Sequence, residues 1–235
     1  DPVLGIDGTV RASVEWDPDG AGPATPVIVF GGRFTAAGST VVANIAAYDP
    51  ATSAWTALGT DLGRKHDVFA LAGLANGDLI AGGEFKTTFN GDATVDYLAR
   101  WSGAAWMPLG APPNGSVHSL LALPNGDLVA GGQFVSIGGI TAVRIARWNG
   151  ATWSAMGSLG GQTLPTVRTL ARLANGDLVA CGNLFNPVSR WNGTTWAALG
   201  GGVNGPDVFA STVLPNGDLV VGGQFTQAGG SVAAR

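Results

Sequence analysis

LPNGDLVAGGQF, residues 123–134, returns almost unchanged as LPNGDLVVGGQF, residues 214–225. Looser copies start at Leu74 and Leu173, so Asn-Gly-Asp-Leu recurs at Asn76, Asn125, Asn175 and Asn216. A glycine doublet or its remnant follows each one: Gly82-Gly83, Gly131-Gly132, Cys181-Gly182 and Gly222-Gly223. A fifth doublet, Gly31-Gly32, lacks the preceding turn. The doublets recur at roughly fifty residues, the period of a repeat architecture. Four of them lead into an aromatic pair: Tyr48/Trp55, Trp101/Trp106, Trp148/Trp153 and Trp191/Trp196.

Each unit reads as four short strands. SVHSLLAL from Ser116, DLVAGGQF, RIARWNG and TWSAMG are apolar or β-branched and bounded by Gly, Pro or Asn. The strings LPNGDL and WNGATW supply hairpin turns, with Pro presetting φ and Gly taking the left-handed position. No segment carries a helical apolar period. Four strands repeated about five times favour a closed ring of blades over a linear stack. On this reading the doublets lie nearest the axis, and the tryptophans fill the wedge between diverging blades. The expectation is all-β: a propeller of five blades, each a four-stranded antiparallel sheet, in one domain over residues 1–235. The units run 9–59, 60–110, 111–157, 158–200 and 201–235, with residues 1–5 added to the last.

The doublet, the aromatic and the later tryptophan resemble the kelch repeat, most closely in GG…YDPATSAW from Gly31 to Trp55. Kelch-like propellers include enzymes, lectins and scaffolds, so the resemblance implies fold and leaves function open. A copper oxidase of the galactose-oxidase kind would need Tyr, Cys and His ligands. Tyr48 and Tyr97 sit in third-strand regions and Cys181 replaces a doublet glycine, so that ligand set does not carry over.

Composition narrows the function classes. Charged residues make up 12% of the chain, apolar residues 46%, and the net charge is −4. The two lysines and ten arginines are scattered, and the only basic cluster is Arg64-Lys65-His66, which argues against nucleic acid. Cys181, the single cysteine, reads as a small buried residue. No apolar run is long enough to span a membrane. The opening DPVLGIDG lacks an initiator Met and reads as a processed or trimmed chain. These features suggest an extracellular or cell-surface protein, bacterial and secreted.

Candidate chemistry is sparse. Glu15 and Glu84 are the only glutamates, and His66 and His118 the only histidines. No acid pair, triad or metal-ligand set stands out, so no catalytic residue, metal or cofactor is expected. The repeated Asp78, Asp127, Asp177 and Asp218 read as caps of turn amides. Asn114 and Asn192 fit the glycosylation pattern, and Asn192, a hairpin Asn shared with copies lacking Thr, reads as a chance match.

Two columns of positions change from unit to unit. Arg33, Glu84, Gln133, Asn183 and Gln224 follow the doublets. Arg11, Phe69, His118, Arg168 and Phe209 follow the first-strand valine. Both should meet at the channel mouth, on the face carrying the variable loops, and suit a polar ligand with one apolar side. The "PNGD" face should be inert. The leading function is a non-enzymatic recognition module for a glycan or protein. The alternatives are a structural unit of a larger assembly, and a hydrolase or lyase with a channel-mouth site.

The fifth unit ends at GGSVAAR, short of its third strand. The edge from Asp218 to Phe225 should therefore accept a strand from a longer parent chain or from another protomer.

Overall fold

The computed structural model describes residues 5–20, 22–59, 62, 66–89, 93–159 and 165–233. They form strands, turns and bends, and among them no helix is long and apolar enough to cross a membrane. Arg64, Lys65 and most of the two connections around residues 60–65 and 160–164 lie outside the described residues, as do residues 1–4.

The chain is a β-propeller. Four blades are four-stranded antiparallel meanders. The first comprises Thr9–Trp16, Val27–Arg33, Ile45–Asp49 and Ala54–Ala57, and the second Val68–Gly73, Leu79–Phe89, Ala93–Trp101 and Trp106–Pro108. The third comprises Val117–Ala122, Leu128–Gly132, Ile145–Trp148 and Trp153–Ala155, and the fourth Thr166–Arg172, Leu178–Asn183, Val188–Trp191 and Trp196–Ala198. The fifth has two paired strands, Asp207–Val213 and Leu219–Gln224.

Turn chemistry sets the meander. In LPNGD the Gly126 N–H donates to the Leu123 carbonyl at 2.9 Å, and the Leu123 N–H donates to the Asp127 carbonyl at 2.7 Å. Gly126 sits at φ 88°, so the turn needs a residue without a Cβ penalty there. The side chain that caps the turn belongs to asparagine: Asn125 Oδ1 accepts the Asp127 N–H at 3.3 Å. The aspartate carboxylates do something else. Arg147 Nε donates to Asp127 at 2.6 Å and Arg190 Nε to Asp177 at 2.5 Å, each from the third strand of the same blade. This corrects the expectation that the aspartates cap the turn.

First strands neighbour one another from blade to blade and line the axis, so the doublets lie one strand further out than expected. Each doublet glycine has its own reason. A Cβ on Gly31 would lie 2.6 Å from Val68 Cγ1 of the next blade, and one on Gly82 would lie 2.7 Å from Val117 Cγ1. A Cβ on the second glycine would strike a backbone carbonyl of its own blade: Thr9 for Gly32, Asp67 for Gly83, Ser116 for Gly132. The doublet is thus a valine slot beside a carbonyl slot. In the fourth blade Cys181 takes the first position and packs in a cluster with Val208; burial pushes its thiol up to about 12, so it is an inert core group.

The core is a series of apolar wedges between successive blades. Outer tryptophans pin them. Trp106 Nε1 donates to the Leu58 carbonyl at 2.7 Å, Trp153 to Leu109 at 3.0 Å and Trp196 to Met156 at 2.6 Å, each reaching back to the preceding blade. The series stops at the fifth blade. A Cβ on Gly222 would meet nothing within 4 Å, and Val10, the first-blade counterpart of Val68, is 42% exposed.

Candidate functional site

A bulge builds the site. In all five first strands the pairing register skips one residue opposite the doublet: between Val10 and Ala12, Val68 and Ala70, Val117 and Ser119, Val167 and Thr169, and Val208 and Ala210. The skipped residues are Arg11, Phe69, His118, Arg168 and Phe209, the whole of the second variable column. A bulge leaves a residue unpaired and re-aims its side chain. Here the five side chains line one open pocket of about 580 Å³, together with Val10, Asp67 and Glu84.

The pocket wall is a run of stacked π-faces. The Arg11 guanidinium lies 5.6 Å from the centre of the Phe69 ring, and Phe69 stacks on His118 at 4.7 Å and 15°. Across the mouth the Arg168 guanidinium lies 5.3 Å from the Phe209 ring. Two buried aspartates hold the arginines: Arg11 Nε donates to Asp67 at 2.5 Å, and Arg168 Nε to Asp207 at 2.8 Å. Fixing each guanidinium by a charge-assisted bond leaves its face free to stack.

The first variable column divides. Glu84 lines the pocket, while Arg33 stands at its edge, 3.9 Å from Asp67 and 67% exposed. Gln133 turns aside: its Nε2 donates to Thr166 Oγ1 of the next blade at 2.8 Å. Asn183 Oδ1 is buried, has no hydrogen-bond partner among the described residues, and lies outside the pocket lining. Gln224 lines a separate depression of about 700 Å³ on the open flank of the fifth blade, with Asn204 and Phe225.

Sequence reasoning missed Asp67 and Asp207. Their signal was present as the string Asp-Val-Phe, which occurs twice, each time one unit after a blade whose bulge carries arginine. It also missed a rim device. Asp7, Asn114 and Asn204 each accept two successive backbone N–H groups from the segment after the doublet: Thr35 and Ala36, Val135 and Ser136, Thr226 and Gln227. Each fastens a small two-stranded ribbon beside the mouth. The bonds from Thr35 and Ala36 hold the Asp7 carboxyl below its ordinary range.

His118 is the one strongly shifted group at the mouth. Burial, then the charges of Arg168 and Arg11, lower it to about 4. Its Nε2 lies 3.0 Å from Ser116 Oγ. The folded state therefore holds the ring neutral while the unfolded chain protonates it near 6.5. The resulting stability is complete above pH 6.5 and is lost as pH falls from there towards 4. The ring keeps partial solvent contact, so we expect a loss of about 2 kcal/mol from this group. Urea-unfolding midpoints at pH 7 and pH 4.5 check it: His118→Gln should show a smaller acid loss than wild type by that amount. Equal losses would show that His118 titrates freely.

Residues 123–150 match the family described as "Domain of unknown function (DUF5122) beta-propeller". No curated protein matches the chain. Among solved structures the chain is similar to YCF48 bound to D1 peptide, at 16% identity and TM-score 0.48, over 93% of this chain and 65% of that one. It is also similar to a protein assigned provisionally as a gluconolactonase, at 15% identity and TM-score 0.56, over 93% of this chain and 77% of that one. A third is the WD40 β-propeller domain of Doa1, at 16% identity and TM-score 0.41, over 94% and 92%. The likeness at TM-score 0.56 bears on fold alone. The matched family and the blade architecture agree that the chain is built of β-propeller repeats, while the kelch likeness rests on its Gly-Gly and Tyr/Trp spacing.

Proposed function

We propose that residues 1–235 act as one propeller domain, a recognition module placed outside the cell, and that its ligand is a glycan or a protein segment held at the channel mouth. The observation that carries this reading is the bulge in all five first strands, which aims five side chains of three kinds into one pocket over a uniform scaffold. Two guanidinium faces, two phenylalanines and a neutral imidazole suit a ligand with an apolar face and a polar edge, as a sugar ring or a peptide side chain has. The arginines are neutralised by Asp67 and Asp207, so recognition draws on stacking and directed hydrogen bonds more than on net charge. A hydrolase or lyase reading would have to rest on Glu84, since the carboxylates of Asp67 and Asp207 are committed to arginine.

Chemical-shift mapping with an array-selected glycan or peptide tests the site. Amides of residues 67–69, 116–118, 167–168 and 207–209 should move. Phe209→Ala should weaken binding about tenfold, the size of a stacking contact of roughly 1.4 kcal/mol, without unfolding a residue already 49% exposed. Shifts confined to the turns at Asn76, Asn125 and Asn216 would place the ligand on the opposite face and overturn the assignment.

A second reading, a unit of a larger assembly, is favoured by a separate observation. Leu219–Gln224 pairs with one neighbour only, and the row of groups on its other side has no strand partner among the described residues. Such an edge accepts an added strand.

A further inference from the structure

Among the described residues, Asp218 lacks a partner that the equivalent aspartates have. Asp78, Asp127 and Asp177 are each ion-paired with Arg100, Arg147 and Arg190. Those arginines occupy one register position, opposite Ile80, Val129 and Val179. The residue after each is tryptophan, opposite Leu79, Leu128 and Leu178. Two places before each is a large aliphatic residue, opposite Gly82, Gly131 and Cys181. The first blade differs. Val27 stands at the aspartate position and Ala47, opposite Val29, at the arginine position. Both partners are absent together there, along with the Asn-Gly turn itself, so the arginine occurs in the three described third strands whose blades keep the aspartate. The fifth blade keeps the aspartate. Asn216 Nδ2 holds its carboxylate at 2.8 Å, as Asn175 Nδ2 holds Asp177 at 2.7 Å, but no arginine reaches it among the described residues.

We propose that the edge Leu219–Gln224 is a docking site for a strand of the pattern large aliphatic–small–Arg–Trp, a segment of this same repeat design, whose arginine closes on Asp218. The inference rests on the strand-addition reading above and adds its register and its selectivity. The arginine falls opposite Val220, the tryptophan opposite Leu219 and the aliphatic residue opposite Gly222. Main-chain bonds along the edge supply most of the affinity, and the charge-assisted bond to Asp218 selects the sequence. Val220 is 47% exposed and Leu214 40% exposed, against complete burial of Val129 at the Val220 position in the third blade. The edge therefore carries apolar surface for the strand to cover.

The test is titration calorimetry and thermal unfolding of the chain with the peptide RIARWNGATWSAMG, residues 144–157, and with the same peptide carrying citrulline in place of its Arg147 equivalent. Citrulline keeps the shape and removes the charge. We expect the arginine peptide to bind and raise Tm, and the citrulline peptide to bind at least fivefold more weakly. On Asp218→Asn protein the two peptides should bind alike, completing a double-mutant cycle. Equal binding of both peptides to the wild-type chain overturns the arginine assignment and leaves strand addition standing. No binding and no change in Tm with either peptide overturns strand addition itself. A chain that sediments as a dimer and excludes the peptide assigns the edge to a second copy, against the proposal. If Asp218→Asn lowers Tm by itself, the peptide pair on wild-type protein decides alone.

Discussion

Replacing Trp106 with alanine should lower stability by about 3–5 kcal/mol, the range for truncating a large buried aromatic. The ring is 1% exposed and packs in the wedge between the first two blades, 5.3 Å from the Trp101 ring. Its Nε1–H is the partner of the Leu58 carbonyl, so the substitution also strands an acceptor contributed by the neighbouring blade. The effect should be graded along the chain. Trp153 is 6% exposed and should behave like Trp106. Trp196 makes the same reach-back bond from a half-buried position and should cost less. Urea-unfolding midpoints of the three variants test the order. A midpoint unchanged in Trp106→Ala would mean that the ring does not hold the wedge.

Much of the fold was legible because a repeat states each local rule several times. Asn-Gly in the first turn of four units and in the second turn of two marks two hairpins per repeat, and two hairpins per fifty residues give a four-stranded meander. The glycine doublet was legible as a demand for space, but its cause was not. One glycine makes room for a valine of the next blade and the other for a carbonyl of its own, and only three-dimensional contacts separate these from crowding at an axis. The placement of the doublets one strand out from the channel follows from the same contacts. The aspartate in the turn was misread for a related reason: its partner lies on another strand, and local spacing cannot reveal an ion pair across a sheet.

The site was legible as a column and illegible as geometry. Arg11, Phe69, His118, Arg168 and Phe209 differ from unit to unit at one repeat position, which marks a place where packing does not dictate the residue. That they share a pocket depends on a bulge, and a bulge leaves no composition signal beyond the glycine opposite it. The companion column behaved differently because one residue further along the second strand the environment changes between blades. Gln133 finds Thr166, Arg33 finds Asp67, and Glu84 faces the mouth.

The second large effect contrasts one repeat position in two settings. Gly82→Val should destabilise by about 3 kcal/mol, because the new side chain begins 2.7 Å from Val117 Cγ1 inside a closed wedge. Gly222→Val, at the same place in the fifth blade, should change stability by about 0.5 kcal/mol or less, or raise it, since its Cβ meets open space and valine suits a strand better than glycine. Neither glycine has positive φ, so the contrast isolates space from backbone strain. Chemical denaturation of the two variants measures it. A large loss in Gly222→Val would mean that in solution a valine does enter that slot. The exposed Val10 of the first blade is the candidate within this chain, and Val10→Ala would then relieve the clash. With Gly222→Val tolerated and Gly82→Val not, the junction between the fifth and first blades is open, and the flank that carries Asp218 is free to receive a strand.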